Sequence, residues 1–514
     1  MVNYGPSYIA AAVASIGGVL FGFDLGVMAN VLTMESYRAF FNNYPKSRDG
    51  IVVSILILGS FLGSLVGGPS SDRLGRKITI MLGAIIFTVG ATIQGFSVSL
   101  GMLITGRFFS GLAVGLLTQS IPNYQSELSA PEIRGRLVSL QQFAITIGIM
   151  VSFWIGIAVK ASTSITGNTE WRLPFFIQIC PAAILLISMF FMPYSPRWLV
   201  YNGREDEALV VLAKLRASGN TSDPDVIEEL ENIKQMHKLE KELEMGGISN
   251  NNYQSDNSIN SQPKSVSNNK QVSYFDLLKY PLRRRLILGV LTQMFQQLTG
   301  INVIMYYAPE IFKQAGLGGS NSNNSENIAT GINGIVNVLF TIPAVLYVDK
   351  WGRRKTLIAG ACVCGLSYLI LAISIAAGTS TYINSAGESV TEMTNKAALI
   401  FAIFSVYTFV ASFAISWGPV AWIYPAEIFP MSIRSKGTSI TTAVNWGSNF
   451  FLSLVSPILI SKFRHFFYLV FFVFMLLAAI TIYLFFPETK SATLEEIDMI
   501  FQGPVWVKKS QHKE

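Results

Sequence analysis

Apolar runs of about twenty residues recur along the chain, separated by short polar clusters. A run of that length crosses a hydrocarbon core of roughly 30 Å as a helix. Of the 514 residues, 51% are hydrophobic and only 13% charged, against about 25% charged in an ordinary soluble domain. A soluble chain of this kind would expose a continuous apolar surface. The pattern predicts an all-α polytopic membrane protein with twelve transmembrane helices in two six-helix bundles. The first six spans are predicted at Tyr8–Val31, Gly50–Pro69, Ile78–Phe96, Leu100–Tyr124, Leu137–Val159 and Leu173–Met192. The second six are predicted at Leu286–Pro309, Ile328–Val348, Thr356–Ala377, Ala397–Tyr424, Ser435–Ile460 and Phe466–Phe486. The first run lacks a basic leader and a cleavage site, so it reads as a retained span rather than a signal peptide.

The net charge of +7 is not gathered into one stripe, which argues against a nucleic-acid partner. Basic residues recur in alternate short loops instead. Arg73, Arg76 and Lys77 follow span 2, and Arg134 and Arg136 follow span 4. Lys350, Arg353, Arg354 and Lys355 follow span 8, and Arg434 and Lys436 follow span 10. These loops share one side, which the positive-inside rule makes cytoplasmic together with both termini. With no retention signal evident, the plasma membrane is the expected location. Cys180, Cys362 and Cys364 lie in apolar runs and read as buried free thiols. His237, His465 and His512 have no metal-ligand spacing, and no phosphate-binding G-x-x-x-x-G-K-[ST] loop occurs. No metal, no cofactor and no enzyme active site is expected; lipid is an expected partner, and a monomer suffices.

A polar segment divides the apolar runs into residues 1–194 and 286–490. Within this linker, 195–285, Arg204–Leu215 and Asp225–Glu244 have helical composition. Residues 246–272 are rich in Asn, Ser and Gln and read as disordered. A tail covers 491–514, and an acceptor sequon spans Asn323–Ser325 in the loop between spans 7 and 8. The two halves repeat. Asp72-Arg73-Leu74-Gly75-Arg76-Lys77 after span 2 is echoed by Asp349-Lys350-Trp351-Gly352-Arg353-Arg354 after span 8. Glu127 precedes Arg134 by seven residues, as Glu427 precedes Arg434. Two motifs displaced by six spans imply two six-helix halves in parallel orientation.

With these motifs, S-P-R at Ser195–Arg197, P-E-T-K at Pro487–Lys490, G-R-F at Gly106–Phe108 and Q-Q-L-T-G-I-N at Gln296–Asn302, the chain resembles the sugar-porter family of the major facilitator superfamily. Its texture is most similar to fungal monosaccharide transporters. Two positions depart from the family pattern: Tyr194 stands where a Glu usually precedes S-P-R, and Ser491 where a Gly usually follows P-E-T-K. The first removes one expected cytoplasmic salt bridge. The resemblance implies import of a monosaccharide, glucose or a related hexose, with a proton by alternating access. A passive hexose facilitator is the nearest rival. A non-transporting sugar sensor is a second, although only about 28 residues follow span 12 to serve as an output element.

Asp24 sits inside span 1, in Gly22-Phe23-Asp24-Leu25-Gly26, where a carboxylate is expensive and usually functional. It lies about 10 Å from the predicted outer end of its span at 1.5 Å per residue, and Arg107 lies at a similar depth in span 4. The two are placed to pair. Burial favours a protonated carboxyl and a nearby guanidinium favours an ionised one, so a small motion can switch the proton. The resemblance implies that Asp24 takes the coupling proton and Arg107 tunes it; a static buried ion pair is the alternative.

A hexose is neutral and rich in hydroxyls, and amides both donate and accept. By the resemblance, Gln142, Gln296, Gln297, Asn302, Asn337 and Asn445 bind the sugar, with Phe21 and Trp422 against its ring. Each amide taken alone reads equally well as interhelical glue. On a regular helix Asn302 would stand about 140° around from Gln297, so both could not face one ligand. Gly300 between them predicts a break in span 7, with Tyr306 and Tyr307 as an outer gate. Trp417, Trp446, Gln293 and Thr299 fit either cavity or packing roles. Gly59, Gly63 and Gly67 on span 2, with Gly111 and Gly115 on span 4, predict close helix packing. Finally, Asp72, Arg76, Glu127 and Arg134, with Asp349, Arg353, Glu427 and Arg434, are expected to form an inner latch that bridges the halves. Topogenic charge is the plainer alternative.

Overall fold

The structure is a computed structural model that describes residues 4–42, 44, 49–249, 274–279, 282–306, 311–312, 325–383, 389–393, 395–463, 465–490, 497 and 501. Eleven of the described helices are long and apolar enough to cross a membrane. Spans 1 to 6 are Gly5–Val31, Asp49–Leu74, Arg76–Gly95, Leu100–Leu128, Pro131–Ala161 and Asn168–Phe191. Spans 7 to 10 are Leu282–Met305, Ile328–Trp351, Arg353–Gly378 and Lys396–Ile428, and span 12 is His465–Phe485. The remaining predicted span falls in Met431–Phe463, a 33-residue helix that is long enough but more polar. Its Thr438, Ser439, Thr441, Thr442, Asn445, Asn449 and Ser453 are all buried. Span 11 therefore turns its polar residues to the protein interior.

The repeat seen in the motifs recurs in the packing. Spans 1·5, 2·4, 3·4 and 3·6 pair in the first half, as 7·11, 8·10, 9·10 and 9·12 pair in the second. Between halves the main contacts are span 2 on span 11 and span 5 on span 8, again related by six spans. Spans 2 and 4 approach backbone to backbone. A Cβ on Gly111 would lie 2.0 Å from the Leu56 carbonyl oxygen, and one on Gly63 2.1 Å from that of Leu112. Only glycine fits there, which answers the small-residue spacing of the two spans.

Three spans are interrupted. Span 6 breaks at Gln178 into Asn168–Ile177 and Ile179–Phe191. Span 7 breaks into Leu282–Leu298 and Ile301–Tyr306, with Gly300 at φ +82°, a left-handed value that glycine adopts without strain. Span 10 breaks at Ser416 into Lys396–Ile415 and Trp417–Ile428. Gly300 marks the second break in the sequence, and Pro181 and Pro419, which lack the N–H that would reach the carbonyls of Ile177 and Ile415, mark the first and third.

Among the described residues the linker carries three α-helices, Pro196–Tyr201, Glu205–Arg216 and Pro224–Ser249, the first two packed on the ends of spans 4 and 1 that share a side with the Arg motifs, and a short 3-10 turn at Tyr274–Leu278. This side is called the basic end below. The last linker helix overruns its expected end at Glu244 and takes in 246–249, the start of the segment read as disordered; 250–272 lie outside the described residues. Tyr194 replaces the missing salt bridge with aromatic contacts. Its ring stacks on Trp198 at 5.5 Å, with Lys77 Nζ 5.1 Å and Arg204 Cζ 5.5 Å from its centre. Trp198 Nε1 in turn donates to the Asp72 carbonyl at 2.9 Å.

The spans form the expected all-α membrane fold, and one loop adds a hairpin to it: Thr379–Ile383 pairs antiparallel with Ser389–Met393 between spans 9 and 10. Both stretches contain Thr with Ile or Val, which suit a pleated strand. One expectation needs correction, since the three thiols are not all buried: Cys364 is, while Cys180 and Cys362 are exposed on their spans. An apolar run does not tell an interior face from a lipid-facing one. The Asn323–Ser325 sequon lies outside the described residues up to Ser325, and the tail 491–514 does so except at 497 and 501.

Candidate sugar site and charge networks

A small cavity lies between the halves. Spans 1 and 5 supply Phe21 and Gln142; spans 7, 8 and 10 supply Gln296, Gln297, Asn302, Asn337 and Trp422. The break at Gly300 is what brings Asn302 back towards Gln297: Asn302 Nδ2 donates to Gln297 Oε1 at 2.7 Å. Gln297 Nε2 donates to Asn445 Oδ1 at 2.9 Å, and Asn445 Nδ2 donates to Gln296 Oε1 and Gln293 Oε1, both at 2.6 Å. The amides thus orient one another in a chain, which fixes where their remaining donors and acceptors point.

Asn445 is the exception among the eight expected sugar residues. It stands behind Gln296 and Gln297 rather than on the cavity wall, because span 11 approaches span 7 from the side away from the cavity. The break in span 10 has its own use. Gln296 Nε2 donates to the Trp417 and Gly418 carbonyls at 3.3 and 3.4 Å, just beyond Ser416. Gln293 likewise donates to the Ala421 carbonyl at 2.8 Å, so it too supports the wall from behind. Trp446 packs edge-on against Phe21, with ring centres 5.0 Å apart. Sequence reasoning missed Met305, Phe413 and the Leu25, Ile145, Ile149 and Ile301 side chains of the apolar wall. Such residues carry no signal that separates a cavity lining from core. Tyr307 and the side chain of Tyr306 lie outside the described residues.

Next to the cavity, Asp24 Oδ1 stands 3.5 Å from Arg107 Nη1, both fully buried. Arg107 Nε donates to the Val52 carbonyl on span 2 at 2.7 Å. Neither Asp24 oxygen accepts a hydrogen bond among the described residues. The carboxylate is held by charge alone, so the pair has little geometric lock. Phe21 and Leu25 on the same helix line the cavity, and Asp24 lies about 60° around from Phe21 at 100° per residue. Span 1 therefore carries the carboxylate on one face and cavity-lining groups on the next.

At the basic end the charged residues pair differently from expectation. Arg76 meets Glu127 at 3.0 Å and Asp72 at 3.9 Å. Arg353 meets Glu427 at 2.6 Å and Asp349 at 2.9 Å. These Arg–Glu pairs lie within each half and do not bridge them. Glu127 pairs with Arg76 and Glu427 with Arg353, since the Arg after each D-x-x-G turn starts the next span beside that Glu. Arg434 Nε donates to the Phe429 carbonyl at 3.2 Å. The halves are joined by other groups. Arg76 Nη2 donates to Ser435 Oγ at 3.0 Å, and the Arg136 backbone N–H to Asp349 Oδ2 at 3.0 Å. Gln119 Nε2 donates to the Ser435 carbonyl at 3.1 Å and Asn123 Nδ2 to Thr438 Oγ1 at 2.8 Å. The P-E-T-K run acts here as well: Glu488 accepts from the Arg353 and Arg354 backbone N–H groups, and Thr489 Oγ1 donates to Glu427. The basic end is shut.

The family model described as "Sugar (and other) transporter" matches residues 10–501. The chain belongs to the sugar transporter family. A high-affinity glucose transporter of Kluyveromyces lactis is 34% identical over 97% of this chain and 86% of its own. A high glucose sensor of Saccharomyces cerevisiae is 32% identical over 96% of this chain and 61% of its own. Among solved structures, the major facilitator proton:xylose symporter XylE bound to 6-bromo-6-deoxy-D-glucose superposes with a TM-score of 0.78 at 27% identity, covering 97% of this chain and 100% of that one. The inward-open form of XylE from E. coli gives 0.66 at 27% identity, covering 98% and 100%. This family member is an integral membrane protein with the major facilitator fold, and the relatives named above are transporters and a sensor.

Proposed function

We propose that this sugar transporter imports a monosaccharide, glucose or a related hexose, together with a proton, by alternating access. The observation that carries the proton step is the buried Asp24–Arg107 pair, held without a hydrogen bond to the carboxylate, one helix face away from the cavity. Protonation of Asp24 cancels its attraction for Arg107 and frees span 1 to shift relative to spans 2 and 4. The cycle begins with Asp24 protonated and sugar held by Gln142, Gln296, Gln297, Asn302 and Asn337. The segment beyond Gly300 closes, the cross-half bonds at the basic end part, and sugar and proton leave to the cytoplasm. One proton moving down roughly 150 mV supplies about 3.5 kcal/mol, enough for a few-hundred-fold sugar gradient. The basic end faces the cytoplasm of a plasma-membrane carrier on this reading, following the loop charges.

The test is labelled hexose uptake in cells that lack their own carriers, with and without a protonophore, for wild type and Asp24→Asn. Wild type should accumulate sugar and lose accumulation with the proton gradient; Asp24→Asn should only equilibrate it. Equilibration by wild type, indifferent to the protonophore, would make the chain a facilitator and Asp24 a structural residue. The likeness to a glucose sensor sustains one other reading. Surface-expressed protein that moves no sugar would favour it.

A further inference from the structure

Span 8 carries two asparagines one turn apart on the same face. Asn337 lines the cavity, and Asn333 precedes it by four residues, about 6 Å farther from the basic end along the helix. Both are buried, at 1% and 0% exposure, and neither Oδ1 accepts a hydrogen bond among the described residues. The hydrogen bond found for Asn333 runs from Nδ2 to Met305 Sδ at 3.8 Å. A thioether is a weak acceptor, whereas buried amides are ordinarily paired at both ends. Met305 touches Asn333 on one side and the cavity on the other. It belongs to Ile301–Tyr306, the short helix beyond the break at Gly300. Its unbranched side chain changes rotamer readily, and the break lets the segment move apart from the rest of span 7.

We propose that Asn333 is a further sugar-contacting residue, uncovered when Met305 swings aside, that binds a hydroxyl one helical turn beyond the hydroxyl met by Asn337. The proposal rests on the reading of the chain as a monosaccharide importer. It also narrows the substrate. Two carbonyl oxygens a turn apart call for two hydroxyl donors at that separation, which the opposite ends of a pyranose ring supply. The Asn333 amide nitrogen, released from Met305, then donates to an adjoining sugar oxygen. Parked against sulfur, Asn333 waits in a poorly paired state that the ligand improves.

The experiment measures uptake of glucose and of glucoses lacking one hydroxyl at a time, by wild type, Asn333→Leu and Met305→Leu at matched surface level. Asn333→Leu should raise KM for glucose about tenfold, the worth of one good hydrogen bond. It should leave KM unchanged for a single member of the deoxy series, so that the wild-type penalty at that position disappears. Met305→Leu, which removes only the sulfur contact, should keep that penalty. A uniform rise across the series, no rise, or the same profile in both variants overturns the proposal by making Asn333 a packing residue. If Asn333→Leu fails to reach the surface, Asn333→Ser carries the same comparison. A wild type that moves no hexose overturns the importer reading and this proposal together. A wild type that moves hexose beside an Asn333→Leu with an unaltered deoxy profile overturns this one alone.

Discussion

Arg107 has two tasks that can be separated: it ties span 4 to span 2 through the Val52 carbonyl, and it neutralises Asp24. Removing one member of a buried pair leaves an uncompensated charge, at a cost of about 3–5 kcal/mol, whereas replacing both by neutral groups is often close to neutral. Arg107→Leu should therefore lower surface level and thermal stability in detergent, and Asp24→Asn added to it should restore most of the loss. A double variant as unstable as the single one would mean that the Val52 contact, not the charge, is what Arg107 supplies. The pair was legible in the sequence because a carboxylate inside an apolar run stands out and helical rise gives its depth. The amides were legible only as a group. Residue type announces a polar lining but not its direction, so Asn445 was expected on the wall and stands behind it. For the same reason Asn333 went unnoticed beside Asn337.

The broken helix of span 7 is the element on which the site depends. An alanine at Gly300 would need φ near +82°, which costs about 1–2 kcal/mol outside glycine. Its Cβ would also come within 2.5 Å of Tyr368 Oη, which donates to the Thr299 carbonyl at 2.6 Å. Gly300→Ala should cut the maximal uptake rate by about tenfold, with the protein still reaching the surface. An unchanged rate would show that the break is not used in the cycle. Gly300 made this break readable because helix geometry and ligand geometry conflicted there. The breaks at Gln178 and Ser416 precede Pro181 and Pro419, which have no N–H to donate to the Ile177 and Ile415 carbonyls. The strand pairing of Thr379–Ile383 with Ser389–Met393 was hidden, since hydropathy finds spans and is blind to what their loops do.

For the whole molecule the informative surface is the seam at the basic end. The motif repeat showed which residues gather there and which half each belongs to, but not their pairing, because each Arg has two carboxylates within reach in sequence. The bonds that cross the seam come largely from unremarkable residues: Ser435, Gln119, Asn123 and the backbone of Arg136. Two charged groups cross as well: the Arg76 guanidinium donates to Ser435, and Asp349 accepts from Arg136 while it pairs with Arg353. Asp349→Ala should weaken closure by about 1.5 kcal/mol, roughly a tenfold gain in the open fraction. The readout is labelling of Thr438→Cys by an impermeant thiol reagent from the basic side, in a background without Cys180, Cys362 and Cys364. Labelling that stays as slow as in the Asp349 parent would assign closure to the neutral bonds alone.

The division of labour between the halves has a practical side. Asp24, Arg107 and Val52 all belong to residues 1–194, while most of the amide wall, from Gln296 to Asn337, belongs to 286–490. Fuel and cargo are written on separate modules. Under the proposed coupling, a chimera that keeps the first module and borrows the second from a relative would inherit the donor's sugar preference along with this chain's power supply.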